Sequence, residues 1–242
     1  MVPRVRLSTQ RRRSAALLLR RVAYGESDWI VQLFTEVDGA VSAIARRARR
    51  SSKRFAALEP LHLLRVEYEV SDSRDLATLT EVKLQLPRLG LTTSLAKMEA
   101  AGSALRWVRG TITRNTPEPR LWAETNGLLD RLVLCDETQV LAKLAGAGLR
   151  LLDAAGWGLE LGQCVRCAKV CPDNSRVRID VPAGGVVCRH CGSVGKVASS
   201  LQRRRFVEAV EGVDGPIDTE GAKLAIDLVT SAFEAHGRGE AT

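Results

Sequence analysis

Two cysteine pairs constrain the fold of this chain more than any other feature of its sequence. Cys164, Cys167, Cys188 and Cys191 follow the pattern C-x2-C-x20-C-x2-C. Four thiolates at this spacing can bind one tetrahedral metal ion, with sulfur–metal distances of about 2.3 Å. The segment between the pairs is rich in Pro and Gly, so it can fold back and bring the pairs together. We predict one structural Zn²⁺ site, with no coordination position left for water or substrate.

Other interpretations of these cysteines fit the sequence less well. A redox dithiol needs a single C-x-x-C that begins a helix after a strand, and that context is absent here. Iron also binds four thiolates, but two C-x-x-C pairs at this spacing favour zinc. A zinc deaminase requires H-x-E, which none of the three histidines begins. Cys171 lies four residues after Cys167 and could compete as a ligand.

The composition indicates a globular protein of the cytoplasm. Apolar residues make up 45% of 242 residues, and no apolar run approaches the 18 or so residues of a membrane span. Arg11–Arg13 precede an apolar run too short for a signal peptide. Cysteines that occur mainly in C-x-x-C pairs fit a reducing compartment better than a disulfide framework. We expect a cytoplasmic, nucleoid-associated protein without a membrane partner.

The positive charge is concentrated at one end of the chain. Residues 1–54 hold thirteen Lys and Arg against four Asp and Glu, which exceeds the net charge of +8 of the whole chain. A local positive field attracts polyanions, whereas a solvated face that only aids solubility is the simpler alternative. The densest run follows a predicted strand, between Arg46 and Arg54. This position favours nucleic acid as the partner.

The hydrophobic pattern changes period near Pro87. Before it, five short segments alternate between apolar and polar residues and are separated by turns, which predicts a small β-barrel. After it, apolar residues recur at helical spacing, and Ser200 is a candidate N-cap after the cysteine segment. The predicted fold class is an α+β multidomain protein with an N-terminal small β-barrel, a helical domain and an inserted four-cysteine zinc module.

The predicted domain boundaries follow from these changes of pattern. They comprise a flexible basic leader at 1–13, the DNA-binding barrel at 14–86, a helical domain at 87–162 and 196–237, the zinc insert at 163–195, and a frayed tail at 238–242.

Several local strings, in this order, resemble the bacterial DNA repair and recombination mediator family RecO. The resemblance runs from about residue 14 to 235 and rests on the strings YGESD (24–28), LFT (33–35), AIAR (43–46), RRSSKRF (49–55), LEPL (58–61), LTEV (79–82), GW (156–157) and the cysteine pairs with GG (184–185) before the second. The Cys171 thiol and the basic leader depart from the family pattern. No single string is diagnostic, but their order and spacing together are specific.

The resemblance implies a fold with an N-terminal OB-fold β-barrel, a central helical domain and a zinc-binding module. It also implies a function. Members of the family bind single- and double-stranded DNA, anneal complementary strands and belong to the RecF pathway of DNA recombination after DNA damage. They contact RecR and the acidic C-terminal tail of single-stranded DNA-binding protein, and with them help to load the RecA recombinase onto coated single strands. These statements are expectations from the resemblance alone.

The sequence also predicts where DNA binds. Guanidinium groups hold phosphate oxygens in bidentate fashion, and a loop beside an OB-fold sheet is a common nucleic-acid site. The predicted contacts are Arg20, Arg21, Arg46, Arg47, Arg49, Arg50, Lys53 and Arg54. Trp29 could stack on a base or cover the core, and Arg203–Arg205 could attract DNA or an acidic peptide or form a charged helix face.

Two alternatives to a DNA-binding mediator stay open. The first is a zinc-containing enzyme that processes nucleic acid, although the chain has no phosphate-binding G-x-x-x-x-G-K-[ST], no H-E-x-x-H and no serine-hydrolase elbow. The second is an RNA- or ribosome-associated zinc-ribbon protein. We expect a protein that is not an enzyme and has no catalytic residues.

Overall fold

The computed structural model describes residues 9–50, 53–71, 75–213 and 217–237. Five strands are followed by three helices, a small sheet and two further helices. Their bounds are β1 Thr9–Tyr24, β2 Asp28–Thr35, β3 Gly39–Ala45, β4 Leu63–Ser71, β5 Ala77–Leu86, α1 Leu95–Thr111, α2 Pro119–Leu134, α3 Val140–Ala154, β6 Val177–Asp180, β7 Gly185–Val187, β8 Lys196–Ala198, α4 Ser200–Val210 and α5 Thr219–His236.

The first five strands close into a barrel in the order β1-β2-β3-β5-β4. All neighbouring pairs are antiparallel except β3 and β5, which run parallel where the barrel closes. The inward positions of β4, which include Leu64, Val66 and Tyr68, are fully buried in the barrel core. The alternation of apolar residues in the sequence therefore reflects the inside and outside of the barrel. The predicted fold class, an OB-like barrel with helices and a cysteine module, is confirmed.

The first strand begins earlier than predicted. Residues 9–13, assigned from sequence to a flexible leader, form the start of β1 and pair with β4. Arg11 and Arg13 both form ion pairs with Glu67 on β4, and Arg12 pairs with the buried carboxylate of Asp38. Three consecutive arginines gave no sign of a strand in the sequence. The strand can form because Glu67 and Asp38 of the barrel compensate their charges. Residues 1–8 of the predicted leader and the predicted tail at 238–242 lie outside the described residues.

The chain divides into two compact units at positions that differ from the predicted boundaries. The first unit comprises the described residues up to Leu89 together with Ile112–Trp122, and the second comprises Gly90–Thr111 and the described residues from Ala123 onward. The segment 112–122 was predicted to belong to the helical domain. It joins the barrel because the Ala40 N–H donates to the Thr113 carbonyl at 3.0 Å, and because Trp122 packs edge-to-face on Phe34.

The second unit has its own core around α3. This helix packs against α1, α4 and α5, so most of its residues are buried. Gly148 lies against Trp107 of α1 and Val229 of α5, where a larger side chain would not fit. Trp107 stacks on Phe233 with ring centroids 5.8 Å apart. The helices before and after the cysteine segment therefore share one core.

The small sheet, of order β7-β6-β8, lies between α3 and α4 in the sequence. Its last strand, β8, extends beyond the predicted end of the zinc insert at residue 195. The N-cap of α4 is Ser199 rather than Ser200, since the Ser199 hydroxyl accepts from the Gln202 N–H and the Gln202 side chain accepts from the Ser199 N–H. This reciprocal pair is a capping box, which requires Gln at the third helical position.

Candidate nucleic-acid interface and metal centre

The four predicted ligands come together in the second unit. The sulfur atoms of Cys164, Cys167, Cys188 and Cys191 all lie within 4.8 Å of one another. Four sulfurs at about 2.3 Å from a tetrahedral ion are about 3.8 Å apart, and the Cys167 and Cys188 sulfurs are separated by 3.8 Å. Among the described residues, Cys171 is not part of this group. It is buried, and burial raises the pKa of its thiol. The cluster could hold one metal ion.

Backbone turns place the sulfurs of the first pair. The Ala168 N–H donates to the Cys164 carbonyl at 2.8 Å, and the Cys164 N–H donates to the Lys169 carbonyl at 2.9 Å. Ala168 adopts a positive φ of 57°, which turns the chain sharply after the second cysteine. The first pair thus sits in a tight hydrogen-bonded loop, as metal-binding cysteine pairs require.

The second pair is held by the small sheet and by one arginine. The Cys191 N–H donates to the Cys188 carbonyl at 3.0 Å. The Arg166 guanidinium donates to the Cys191 carbonyl at 2.7 Å and pairs with Asp180 at the end of β6. Gly185, which begins β7, has a positive φ, and a Cβ there would collide with the backbone of Glu160. Of the two glycines at 184–185, Gly185 is therefore a steric requirement of this segment.

The thiols differ in acidity in a way that fits a cation between them. The Cys188 N–H donates to the Cys164 sulfur and lowers the pKa of that thiol to about 6. Hydrogen bonds with Cys167 and Cys188, in that order, raise the pKa of Cys191 to about 12. Four thiolates this close repel one another, so a divalent ion is the species that allows all four to lose their protons. The donor set thus fits a metal ion.

Four of the predicted DNA contacts form one exposed turn on the barrel. We call residues 46–50, which follow β3, the arginine turn; its members are Arg46, Arg47, Arg49 and Arg50, and all four are exposed. The turn is anchored to the β1–β2 connection, because the Arg49 N–H donates to the Ser27 carbonyl at 2.9 Å and the Arg47 N–H donates to Asp28 at 2.8 Å. This backbone hydrogen bond from Arg47 lowers the pKa of Asp28.

The arginines of the turn differ in how much of their charge is free. The Arg49 side chain donates to the Gly25 carbonyl at 2.9 Å, and Arg50 pairs with Glu26 at 3.1 Å. The side chains of Arg46 and Arg47 have no hydrogen bond or ion pair within the described residues. Counting charges along the sequence did not reveal this difference between the arginines. Glu26, the acidic partner of Arg50, lies in the β1–β2 connection and not within the basic run.

Trp29 is covered by arginine rather than open to a base. The guanidinium carbons of Arg21 and Arg49 lie 5.3 Å and 5.6 Å from its ring centroid. Arg21 also donates to the Leu58 carbonyl at 2.9 Å and pairs with Glu59 at 3.0 Å. Trp29 packs in addition against the barrel core, so the core-covering alternative describes it better. Its ring orients two cations instead of offering a stacking surface.

The remaining predicted contacts lie at two places. Arg54 lines a cleft of about 310 Å³ together with Arg46, Arg47 and Phe55, and its guanidinium lies 5.4 Å from the Phe55 ring centroid. Lys53 precedes it and is exposed. Arg20 is exposed on β1 opposite Gln32, and none of the contacts described above involves it. The structure thus joins Arg54 to the arginine turn and leaves Arg20 apart.

Arg203 has a role that the sequence did not predict. It was considered with its neighbours as a charged helix face or an acidic-partner site, but it is 4% exposed. Its guanidinium donates to the carbonyls of Cys171 at 3.1 Å and Pro172 at 2.8 Å and pairs with Asp173. Arg203 therefore ties α4 to the cysteine module. Its helical position on the buried face beside Phe206 was the available signal.

The first unit is an OB-like barrel of strand order β1-β2-β3-β5-β4 that carries exposed arginines. The second is a helical unit with a four-cysteine cluster that could hold a metal ion. This combination defines a class of multidomain proteins that join an OB-like barrel to a helical unit with a candidate metal site. Comparison with known families assigns the chain more closely. Residues 10–87 match the model for the N-terminal region of recombination protein O, and residues 93–214 match the model for its C-terminal region. The chain belongs to the recombination protein O (RecO) family.

Curated relatives agree with this assignment over most of their length. The chain is 32% identical over 238 residues to a DNA repair protein RecO of Anaeromyxobacter sp. (strain Fw109-5), which covers 94% of this chain and 92% of that protein. It is 34% identical to the protein of the same name from Anaeromyxobacter dehalogenans (strain 2CP-C), over 91% and 89% of the two chains. The relative from Rubrobacter xylanophilus is 31% identical over 75% of this chain and 71% of its own.

Within the part of the chain that the structure describes, no helix is long and apolar enough to cross a membrane.

Proposed function

We propose that this protein is a non-catalytic DNA-binding mediator of recombination that acts in DNA repair. It binds single- and double-stranded DNA without sequence specificity, anneals complementary strands and helps to load a recombinase onto protein-coated single strands. The observation that carries the proposal is the exposed arginine turn on the barrel of a chain that belongs to the recombination protein O family. The curated relatives, which are named DNA repair proteins, support the repair role.

The mechanism of binding is electrostatic. Arginine forks hold phosphate oxygens, and each neutralised phosphate releases counterions, so affinity falls steeply with salt. None of the contacts involves a helix that could read base edges, so binding is independent of sequence. Cations that neutralise phosphates on two strands also reduce the repulsion between those strands, which lowers the barrier to annealing.

The four-cysteine cluster is proposed to bind one structural Zn²⁺. Zinc is the ion expected for four thiolates in two C-x-x-C pairs, and four protein ligands leave no position where the ion could activate water. The cluster then stabilises the module and takes no part in chemistry. This supports a protein that is not an enzyme.

The partners are proposed from membership of the family. They are single- and double-stranded DNA, RecR, the C-terminal tail of single-stranded DNA-binding protein and, indirectly, RecA. A cytoplasmic, nucleoid-associated location follows from these partners.

A strand-annealing assay without nucleotide or divalent metal tests the proposal. Complementary labelled oligonucleotides are mixed with the purified protein in dilute buffer, and annealing is followed by fluorescence transfer. The test variant replaces all four arginines of the arginine turn by Ala. The matched control removes four exposed cations elsewhere, by Arg106→Ala, Arg120→Ala, Arg204→Ala and Lys223→Ala.

We expect the wild-type protein and the control to accelerate annealing and the test variant to lose most of this activity together with its steep salt dependence. Failure of the wild-type protein to bind oligonucleotides at low salt would reject the proposal. Annealing that requires nucleotide would favour an enzyme, and preferential binding of structured RNA in competition would favour the RNA-associated alternative.

A further inference from the structure

A groove of about 620 Å³ opens beside the cysteine cluster in the second unit. It lies within the range of about 300–1,000 Å³ that is typical of binding sites. Residues 169–172 and the three strands of the small sheet form its walls. Val170 and Val197 are exposed in it, while Val186 and Val187 are buried beneath. The described lining residues include no Phe, Tyr or Trp, so the imidazole of His190 is the one ring that they offer for stacking.

The rim of the groove carries free positive charge. Lys169, Arg176 and Arg189 line the groove and are exposed, and their side chains have no hydrogen bond or ion pair within the described residues. Arg178 also lines the groove and donates to the Gly195 carbonyl at 3.3 Å. No Asp or Glu occurs among the described lining residues.

The acids of the module are already paired with other arginines. Segment 163–195 contains Asp173 and Asp180 as its acidic residues. Asp173 pairs with Arg203 of α4, and Asp180 pairs with Arg166, neither of which lines the groove. No Asp or Glu among the described residues forms an ion pair with Lys169, Arg176 or Arg189.

We propose that this groove is a second contact for the sugar–phosphate backbone of a nucleic-acid strand, distinct from the arginine turn on the barrel. The inference rests on the proposed function and deepens it, since a second strand-binding surface lets one chain hold two strands at once. A phosphodiester chain carries a negative charge at every residue and can satisfy all three cations at once. Two of the three are arginines, whose planar forks match phosphate better than an ammonium does.

The chemistry of the groove also predicts how it binds. With valines on its floor and His190 as the one ring among the described lining residues, the groove packs against sugars and can stack on at most one base. Binding there depends mainly on charge and weakens as the salt concentration rises. An acidic peptide shares the charge of a strand and is the competing ligand in the test.

The test variant is Lys169→Gln, Arg176→Gln and Arg189→Gln. The matched control removes three exposed cations from helices of the same unit, by Arg106→Gln, Arg204→Gln and Lys223→Gln. Both full-length proteins are compared with the wild type in metal content, in the number of ten-nucleotide oligothymidylates bound per chain at low salt, and in annealing rate. Binding of an octa-aspartate peptide is measured in parallel.

We expect two oligothymidylates per chain for the wild type and control and one for the test variant, with annealing slowed about tenfold and metal content unchanged. Binding of two oligonucleotides by the test variant would overturn the proposal that the groove binds a strand. So would loss of the metal, which would mean that the cations only offset the thiolate charge, or a defect confined to peptide binding. One oligonucleotide on the wild type, lost only when the arginine turn is changed, would reject the groove and leave the proposed function standing.

Discussion

Individual arginines of the arginine turn are expected to contribute unequally to DNA binding. Arg46 and Arg47 have free side chains, whereas those of Arg49 and Arg50 are engaged by Gly25 and Glu26. We predict that Arg46→Ala with Arg47→Ala reduces the salt slope on single strands by about 1.4, at about 0.7 for each phosphate that is no longer neutralised. Arg49→Ala with Arg50→Ala, which removes the same charge, should reduce the slope by less. Affinity titrations at several salt concentrations compare the two, and equal slopes would contradict the distinction.

Arg203 shows that an arginine in a basic run can be structural. Replacing it by Met leaves the buried carbonyls of Leu161 and Cys171 without the Arg203 donor, along with the more exposed carbonyl of Pro172. Each buried unsatisfied group costs about 1–3 kcal/mol, so we predict a loss of about 3 kcal/mol in the free energy of unfolding. Arg204→Met on the exposed neighbour should cost no more than about 0.5 kcal/mol. Urea denaturation of the two variants measures the difference, and equal stabilities would exclude the bridging role.

At the scale of elements, Glu67 joins the start of β1 to β4. Burial opposes its ionisation, but the guanidinium groups of Arg11 and Arg13 outweigh burial and lower the pKa of Glu67 below its usual 4.5. A lowered folded-state pKa means that the carboxylate stabilises the fold above pH 4.5 and that this contribution is lost as the pH falls through the folded-state pKa. The strand therefore depends on an ionised Glu67 at neutral pH.

We predict that Glu67→Gln lowers the melting temperature at pH 7. The difference in melting temperature between the variant and the wild type should become smaller once the pH falls below 4.5. Glu69→Gln, two positions along β4 and without an ion pair in the described part of the chain, is the control and should have little effect at either pH. Melting curves from pH 7 down to pH 3 measure both. A difference in melting temperature between Glu67→Gln and the wild type that stays constant across this pH range would argue against the pKa shift as its cause.

The elements show which sequence signals are dependable. Buried residues alternate with more exposed ones over residues 41–45 of β3 and 64–66 of β4, and this pattern predicted the strands closely. The start of β1 was missed because Thr9–Arg13 are polar on both faces, and only pairing with β4 makes them a strand. The N-cap of α4 was displaced by one residue because Ser199 and Ser200 are adjacent candidates and the choice depends on Gln202.

At the scale of the whole molecule, the two units have separate cores. The described core of the barrel contains none of the four cysteines, whereas the second unit holds all of them. A structural zinc ion contributes on the order of 10–16 kcal/mol in small peptides, so the module should depend on it. Loss of the ion is expected to affect the second unit first.

We predict that a strong chelator exposes the module to trypsin, with early cleavage after residues of segment 163–195, while the barrel stays resistant. The module unfolds because removal of the ion breaks the sulfur–metal bonds that would hold its two cysteine pairs together, whereas the barrel keeps its own apolar core. Limited proteolysis with mass spectrometry follows the cleavage order, and re-addition of Zn²⁺ before trypsin is the control. Simultaneous cleavage in both units would show that the metal stabilises the entire chain.

The sequence by itself determined the four cysteine ligands, the change from strands to helices and the cationic character of the barrel, because ligand spacing, side-chain period and charge are local properties of the chain. Only the tertiary structure decided which cations are free. Arg50 is paired across a turn, Arg203 is buried against the module, and Lys169, Arg176 and Arg189 are left without acids around one groove. Charge compensation depends on groups that are distant in sequence and adjacent in space, and folding alone brings them together.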